Sequence, residues 1–206
     1  MAVIKNILFD LGNVLFSIDY KKTTQAFEQL GFTQFDGMYS QYTANALFEA
    51  IETGNITNDD FYQQLQNVNS HVSKSEIKEA WNSMLLHWRV NSVLHLAALG
   101  KKYNLYLLSN TNDIHLTAVN ELLQSTMQMD NIDGYFMKAY YSHKIHLRKP
   151  HAAVFEFVLN DAKILANETL FVDDSINNIE TAQQLGFKTH LLLEEELIEN
   201  LVYEAY

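Results

Sequence analysis

The side chains best suited to chemistry stand where apolar runs stop. Val3 to Phe9 ends at Asp10, Tyr103 to Leu108 at Ser109, and Thr169 to Val172 at Asp173 and Asp174. Lys149 precedes Pro150, the only proline of the chain. A carboxylate fixed at the end of a strand suits a nucleophile. Asp174, with Asp173 beside it, offers oxygen donors to a hard divalent cation; Mg²⁺ takes about one or two carboxylates and fills its shell with water and substrate phosphate. Ser109 offers a hydroxyl, and the backbone amides after it, to a phosphate oxygen. Lys149 supplies a point charge against a phosphoryl dianion and separates carboxylates that would otherwise repel. Together these are the parts of phosphoryl transfer by positioning and charge neutralisation. Each also has an ordinary reading: the charged groups as a salt-bridge network, and Ser109 as a helix N-cap, which is compatible with holding phosphate.

Such residues converge only if the runs are parallel strands, because ligands bind beyond the carboxyl ends of a parallel sheet. Phe187 to Leu193 reads as a fourth strand and Phe136 to Tyr141 as a weaker fifth. Helical patterns alternate with them, such as Ala152, Val154, Phe155, Val158 and Leu159, and that rhythm predicts a parallel α/β sheet. From Tyr20 to about Lys102 no buried strand is evident and helical spacing dominates. The groups Phe27, Leu30, Phe32; Leu47, Phe48, Ile51; Phe61, Tyr62, Leu65; and Ile77, Trp81, Met84, Leu85, Trp88 predict about four helices. Gly31, Gly54, Gly100 and Gly186 each follow a helical run, the left-handed stop position.

Composition narrows the classes. Seven glycines and one proline in 206 residues are about 4% against an average of roughly 12%, which disfavours a turn-dense β-sandwich. The absence of cysteine excludes disulfides, thiolate metal sites and a cysteine nucleophile. With no signal-like N-terminal segment and no run near the ~20 apolar residues of a membrane span, the expectation is a cytoplasmic protein without membrane contact. A net charge of −11 without a basic stripe argues against nucleic-acid binding. Glu194, Glu195, Glu196, Glu199 and Glu204 read as a solvated helix face.

Ile-Leu-Phe-Asp10-Leu-Gly-Asn-Val-Leu, Leu-Leu-Ser109-Asn-Thr-Asn, Arg-Lys149-Pro and Phe-Val-Asp173-Asp174-Ser resemble, in order and separation, the four motifs of the haloacid dehalogenase superfamily. The resemblance covers nearly the whole chain. It looks closest to members with a small α-helical cap that act on sugar phosphates, such as bacterial α-D-glucose-1-phosphate phosphatases, and is similar to the phosphatase domain of soluble epoxide hydrolases. It implies a Rossmann-like parallel sheet core at residues 1–16 and 101–206, with a helical cap inserted at 17–100. The implied activity is Mg²⁺-dependent hydrolysis of a small phosphorylated metabolite, foremost a sugar phosphate. Asp10 would form an aspartyl-phosphate, Ser109 and Asn110 would hold phosphate oxygens, and Lys149 would neutralise the transferring group. Asp10, Asp174 and the Gly12 carbonyl would ligate Mg²⁺, with Asp173 in support.

Many phosphatases of that superfamily carry a second aspartate, a general acid and base, where this chain has Gly12. Such assistance is typically worth about 10²–10⁴-fold, so the glycine implies a slower enzyme or another proton source, Asp19 and a metal-bound water being two. It also motivates a rival reading, a non-catalytic protein that binds a phosphometabolite. A dehalogenase, which also uses an aspartate nucleophile, is disfavoured by the acidic pair Asp173 and Asp174. Arg148 either reaches the phosphate or faces solvent. Asn177 and Asn178 either hydrogen-bond around the metal or cap a helix. His143, His146 and His151 have zinc-like spacing but no carboxylate or thiolate in register, which favours solvated loop histidines. Tyr20, Phe48 and Trp88 are candidates to face the crevice from the cap.

Overall fold

The computed structural model describes residues 3–33, 35–40 and 44–206. The expected core and cap ranges also include residues 1–2, 34 and 41–43, which lie outside the described residues. In chain order the elements are β1 (Asn6–Phe9), β2 (Phe16–Ile18), α1 (Tyr20–Gln29), α2 (Ala46–Glu52), α3 (Asn58–Val68), α4 (Lys74–Asn82), β3 (Leu85–Trp88) and α5 (Val90–Leu99). They continue with β4 (Asn104–Ser109), α6 (Asp113–Met127), β5 (Lys138–Tyr141), α7 (Ser142–Ile145), α8 (Ala152–Ala162), β6 (Thr169–Asp173), α9 (Ile176–Gln184) and β7 (Lys188–Leu191).

Five strands form a sheet in the order β5-β4-β1-β6-β7, each pair parallel. Alternate residues point to opposite faces, as the two-residue strand period requires. Ile7, Phe9, Leu105, Leu107, Leu170 and Val172 join one hydrophobic cluster with Leu96 of α5 and Val119 of α6. Leu8, Tyr106, Leu108 and Phe171 join the other with Phe155 of α8 and Ile179 of α9. A sheet covered on both faces has near-continuous apolar strands, which is why the runs were readable.

Register decides where the polar ends lie. Phe9 pairs with Leu107 on one side and Val172 on the other, and Asp10 N–H donates to Val172 O at 2.9 Å. Asp10 therefore leaves the sheet level with Asp173, and Ser109 ends β4 opposite Tyr141.

The helical segment has its own core. Phe27, Phe48, Phe61, Leu65, Ile77 and Trp81 form a third cluster, joined by Ile114 of α6. Phe27 and Phe35 stack with centroids 4.1 Å apart, and Trp81 stacks on His115 of α6 at 4.4 Å. Burial holds His115 down to about 4, against the opposing bond to Trp81 O. Its ring is neutral at ordinary pH, and Nε2–H donates to that carbonyl at 3.1 Å. Thr57 and Ser73 start α3 and α4 with reciprocal capping boxes.

Three expectations need correction. A strand does occur between Tyr20 and Lys102: β3 pairs antiparallel with β2, Phe16 opposite Trp88. Leu85 and Trp88 continue the spacing of α4, and so short an apolar run does not reveal its period; the β2 partner, distant in sequence, decides it. Gly31, Gly54 and Gly186 take the left-handed conformation, whereas Gly100 closes α5 with φ −62°. The C-terminal acids do not form a helix face. They lie in turns and short 3₁₀ segments, where Glu199 accepts from Ser92, Glu204 pairs with Lys102 and Glu196 faces His190. Among the described residues no helix is long and apolar enough to cross a membrane.

Candidate active site

Lys149 is the centre of the polar cluster. Its Nζ lies 2.7 Å from Asp10 Oδ1 and 2.6 Å from Asp173 Oδ2, and the residue is 1% exposed. An uncompensated ammonium would not stay charged there. Burial works to lower its pKa, but Asp10 and Asp173 outweigh that and raise it, so Lys149 remains a cation. Asn110 fixes the backbone beneath it: Lys149 N–H donates to Asn110 Oδ1 at 2.9 Å, and Asn110 Nδ2 donates to Lys149 O at 2.8 Å. The Lys149–Pro150 peptide is cis.

The two adjacent aspartates differ in their surroundings. Asp173 is fully buried and receives Ser175 N–H at 2.8 Å and Asn178 Nδ2 at 2.9 and 3.1 Å. With Lys149 on Oδ2, both its oxygens are engaged. Asp174 accepts from Asn13 Nδ2 at 3.0 Å. Burial, followed by Asp173, raises Asp174 to about 6 against the lowering effect of Asn13 and Lys149. Burial raises Asp10 to about 7, helped by Asp173 and Asp174 and opposed by Lys149. Carboxylate oxygens of Asp10, Asp173 and Asp174 lie within 4.8 Å of one another. Burial is the first cause of both raised values, and neighbouring carboxylates add to it, since one lysine cannot balance three carboxylates. A hard divalent cation fits the donor set and would relieve it.

A cavity of about 110 Å³ opens on this cluster. Its sheet-side wall includes Asp10, Gly12, Asn110, Lys149 and Asp174, so sequence residues far apart are brought together. Ser109, buried at the end of β4, lies behind that wall, where Asn110 takes the lining position. A Cβ at Gly12 would stand 3.8 Å from Asp10 Oδ2 and only 3.0 Å from Ile18 Cδ1, so the isoleucine fills the space a longer side chain would enter. Asp19 caps α1, accepting from Lys21 N–H, and is not a lining residue.

The opposite wall comes from the helical segment, and sequence reasoning found only part of it. Tyr20, Tyr39 and Glu52 line it. Glu52 is 3% exposed; Tyr39 O–H donates to its Oε1 at 2.8 Å, and Arg148 Nη2 lies 2.9 Å from its Oε2. Burial raises Glu52 although Arg148 and Tyr39 pull it down. Arg148 thus follows neither expected path, because its guanidinium pairs with Glu52 at the cavity wall. The available signal was an acid four residues after Phe48, on the apolar face of α2, where charge is costly unless paired. Tyr20 does face the cavity. Phe48 and Trp88 do not: Phe48 packs on Trp81 in the insert's core, and Trp88 Nε1 donates to Val119 O at 3.0 Å.

Four of the remaining candidates have structural partners. Asn112 caps α6, and Asn178 holds Asp173 as described, while Asn177 lines the cavity. His146 Nδ1 lies 2.8 Å from Thr53 O and His151 Nε2 3.6 Å from Glu49 Oε1, so these two meet the end of α2 rather than solvent alone.

The sequence matches the family described as haloacid dehalogenase-like hydrolase over residues 4–186. It is 33% identical over 189 residues to the D-ribitol-5-phosphate phosphatase of Bacteroides thetaiotaomicron, covering 91% of each chain. The fold is similar to that of a HAD family enzyme from the same organism solved with magnesium and inorganic phosphate: TM-score 0.86, 34% identity, covering 94% of this chain and 96% of the other. A HAD-like family hydrolase from Porphyromonas gingivalis superposes with TM-score 0.85 at 28% identity, over 95% and 94% of the two chains.

Proposed function

The chain belongs to the haloacid dehalogenase-like hydrolase family, and from that premise we propose that it is a magnesium-dependent phosphatase of a small phosphorylated sugar or polyol. The observation that carries this reading is the Lys149 ammonium held between Asp10 and Asp173, with Asp174 completing the carboxylate group. The relative that acts on D-ribitol 5-phosphate and the magnesium and phosphate complex of a similar fold support it.

Asp10 is the nucleophile. Its carboxylate oxygen attacks phosphorus and the bond from phosphorus to the alcohol oxygen breaks, the departing oxygen taking its proton from solvent water because Gly12 offers no general acid. Water then cleaves the aspartyl-phosphate and restores the carboxylate. Lys149 holds Asp10 in place and offsets charge on the transferred group. Asp10, Asp174 and the Gly12 carbonyl would hold Mg²⁺, with Asp173 orienting Lys149 behind them. When bound, the cation supplies charge neutralisation and alignment for the phosphoryl oxygens. The Asn110 backbone amide binds phosphate at the strand end, with Ser109 supporting that position from behind, and residues 17–100 serve as a cap that closes over the substrate and excludes water.

The test is phosphate release from a panel of sugar and polyol phosphates, with Mg²⁺ and with chelator, for wild type and Asp10→Asn. Release by wild type only, and only with metal, is the expected result. Equal release by both proteins overturns the nucleophile. Binding of phosphate esters and Mg²⁺ without turnover, followed by thermal shift, instead marks the binding protein that Gly12 motivates.

A further inference from the structure

The step that the sheet-side residues leave unassisted is protonation of the departing alcohol. In-line displacement puts that oxygen across phosphorus from Asp10, and so toward the insert's wall of the cavity. Gly12 has no side chain to offer it a proton, and Ile18 Cδ1 fills the space into which one would extend. Of the hydroxyls on the insert's wall, Tyr39 donates its own to Glu52 at 2.8 Å. Ser40 carries an ordinary alcohol, no more acidic than the one that leaves.

Tyr20 is the group that remains. It opens α1 two residues after Ile18, is half-buried, and lines the cavity with Asp10, Gly12 and Lys149. Its ring packs on Tyr39 with centroids 5.9 Å apart, which limits its direction. Its hydroxyl makes no hydrogen bond among the described residues and, unlike Glu52 Oε2 and Arg148 Nε, is not sealed from solvent. A phenol, with an ordinary pKa of about 10, is a stronger acid than an aliphatic alcohol, and its oxygen both donates and accepts. Burial, and then the charges of Asp174, Glu52 and Asp10, keep it protonated. The same charges exclude a lasting phenolate, so a proton given by Tyr20 must be replaced at once from water.

We propose that Tyr20 is a further catalytic residue, the proton relay between solvent and the departing oxygen, in the role that Gly12 leaves open. The proposal rests on the phosphatase reading. As the bond from phosphorus to oxygen breaks, its electron pair stays on the alcohol oxygen. That oxygen takes the Tyr20 proton while Tyr20 takes one from solvent. When water later attacks the aspartyl-phosphate, its proton passes to Tyr20 and one returns to solvent. Tyr20 ends as it began, and the sum is ester plus water giving alcohol plus phosphate.

The test compares wild type and Tyr20→Phe in Mg²⁺ on three phosphates, read as kcat/KM, which reports the steps up to the aspartyl-phosphate. D-Ribitol 5-phosphate and ethyl phosphate expel alkoxides. Acetyl phosphate matches the ethyl ester in size but expels a carboxylate, which needs no proton. Tyr20→Phe should lower kcat/KM by about 100-fold on both alkyl esters, within the range of general acid catalysis, and by less than about threefold on acetyl phosphate. Its Tm should equal that of wild type, because the hydroxyl it loses has no partner. Tyr39→Phe, which removes only the bond to Glu52, should not separate alkyl from acyl leaving groups. Equal losses on all three phosphates mark a structural role, and a loss confined to the ribitol ester marks a contact with the polyol. Either result overturns the assignment, as does no loss at all or the same split in Tyr39→Phe. Phosphate release from none of the three by wild type overturns the phosphatase reading, and this proposal with it.

Discussion

Across the cavity, the sheet-side wall holds Asp10, Lys149, Asp173 and Asp174 by backbone register and a buried ion-pair network, whereas the insert's wall holds Tyr20, Tyr39 and Glu52 by packing around Phe48 and Trp81. The first wall depends on strands hydrogen-bonded on both sides. The second depends on a hydrophobic cluster that meets the sheet domain along a seam including Ile114 and His115 of α6. Along that seam His146 lies against Thr53 O, Asn58 donates to Asp113, and Gly54 fits against the His143 carbonyl. On the proposed reading the sheet-side residues carry the reaction at phosphorus, and substitutions in the two walls should affect it differently.

The largest effect should come from the sheet wall. Asp10→Asn removes the proposed nucleophile and should reduce phosphate release by on the order of 10⁴-fold or more, measured as kcat with saturating ester. The matching change in the insert is Trp81→Ala. That deletion in a packed aromatic core should cost about 3–5 kcal/mol in urea unfolding. Should the insert loosen first, hydrogen exchange will rise in α1–α4 before it rises in the sheet; simultaneous exchange would mean that the two bodies unfold as one.

The sheet wall should also show the cost of burying its carboxylates. Asp10 is raised to about 7 from an unfolded value near 3.8, so the folded state keeps a proton that the unfolded chain has lost. Asp10's contribution to stability is therefore fully present below pH 3.8 and is lost as pH rises through 7. In chelator, Asp10→Asn should gain on wild type as pH rises from 4 to 7, by up to a few kcal/mol, and level off above. Mg²⁺ should reverse the order by stabilising wild type, with a larger rise in Tm at pH 8 than at pH 5, because it binds the ionised carboxylates. An order that does not change with pH would mean that Lys149 alone balances the site.

The smallest effect expected is at the seam. A Cβ at Gly54, where φ is +65°, would stand 2.2 Å from His143 O. Gly54→Ala should cost about 1–3 kcal/mol in urea unfolding and reduce phosphate release far less than Asp10→Asn does. A loss of release as large as that of Asp10→Asn would show that the seam also holds the reacting groups in place.

The existence of the five strands, the strand-end residues and the helical character of the insert were legible in the chain. A strand buried on both faces is an unbroken apolar run, and its polar successor marks the site edge, as Phe9 and Asp10 show. Arg148 and Glu52 were not legible as partners, because nearly a hundred residues separate them and no local spacing couples one to the other. The β2–β3 pair was hidden for the same reason, and Trp88 was misassigned with it. By itself, then, the sequence determined the parallel sheet, the carboxylate and lysine set, and the glycine beside the nucleophile, since these depend on local hydrophobic period and position. The tertiary structure alone decided which carboxylates share Lys149, which aromatics are core, and which acid faces the cavity. Those outcomes depend on desolvation and pairing, which arise only when distant segments exclude water from one another.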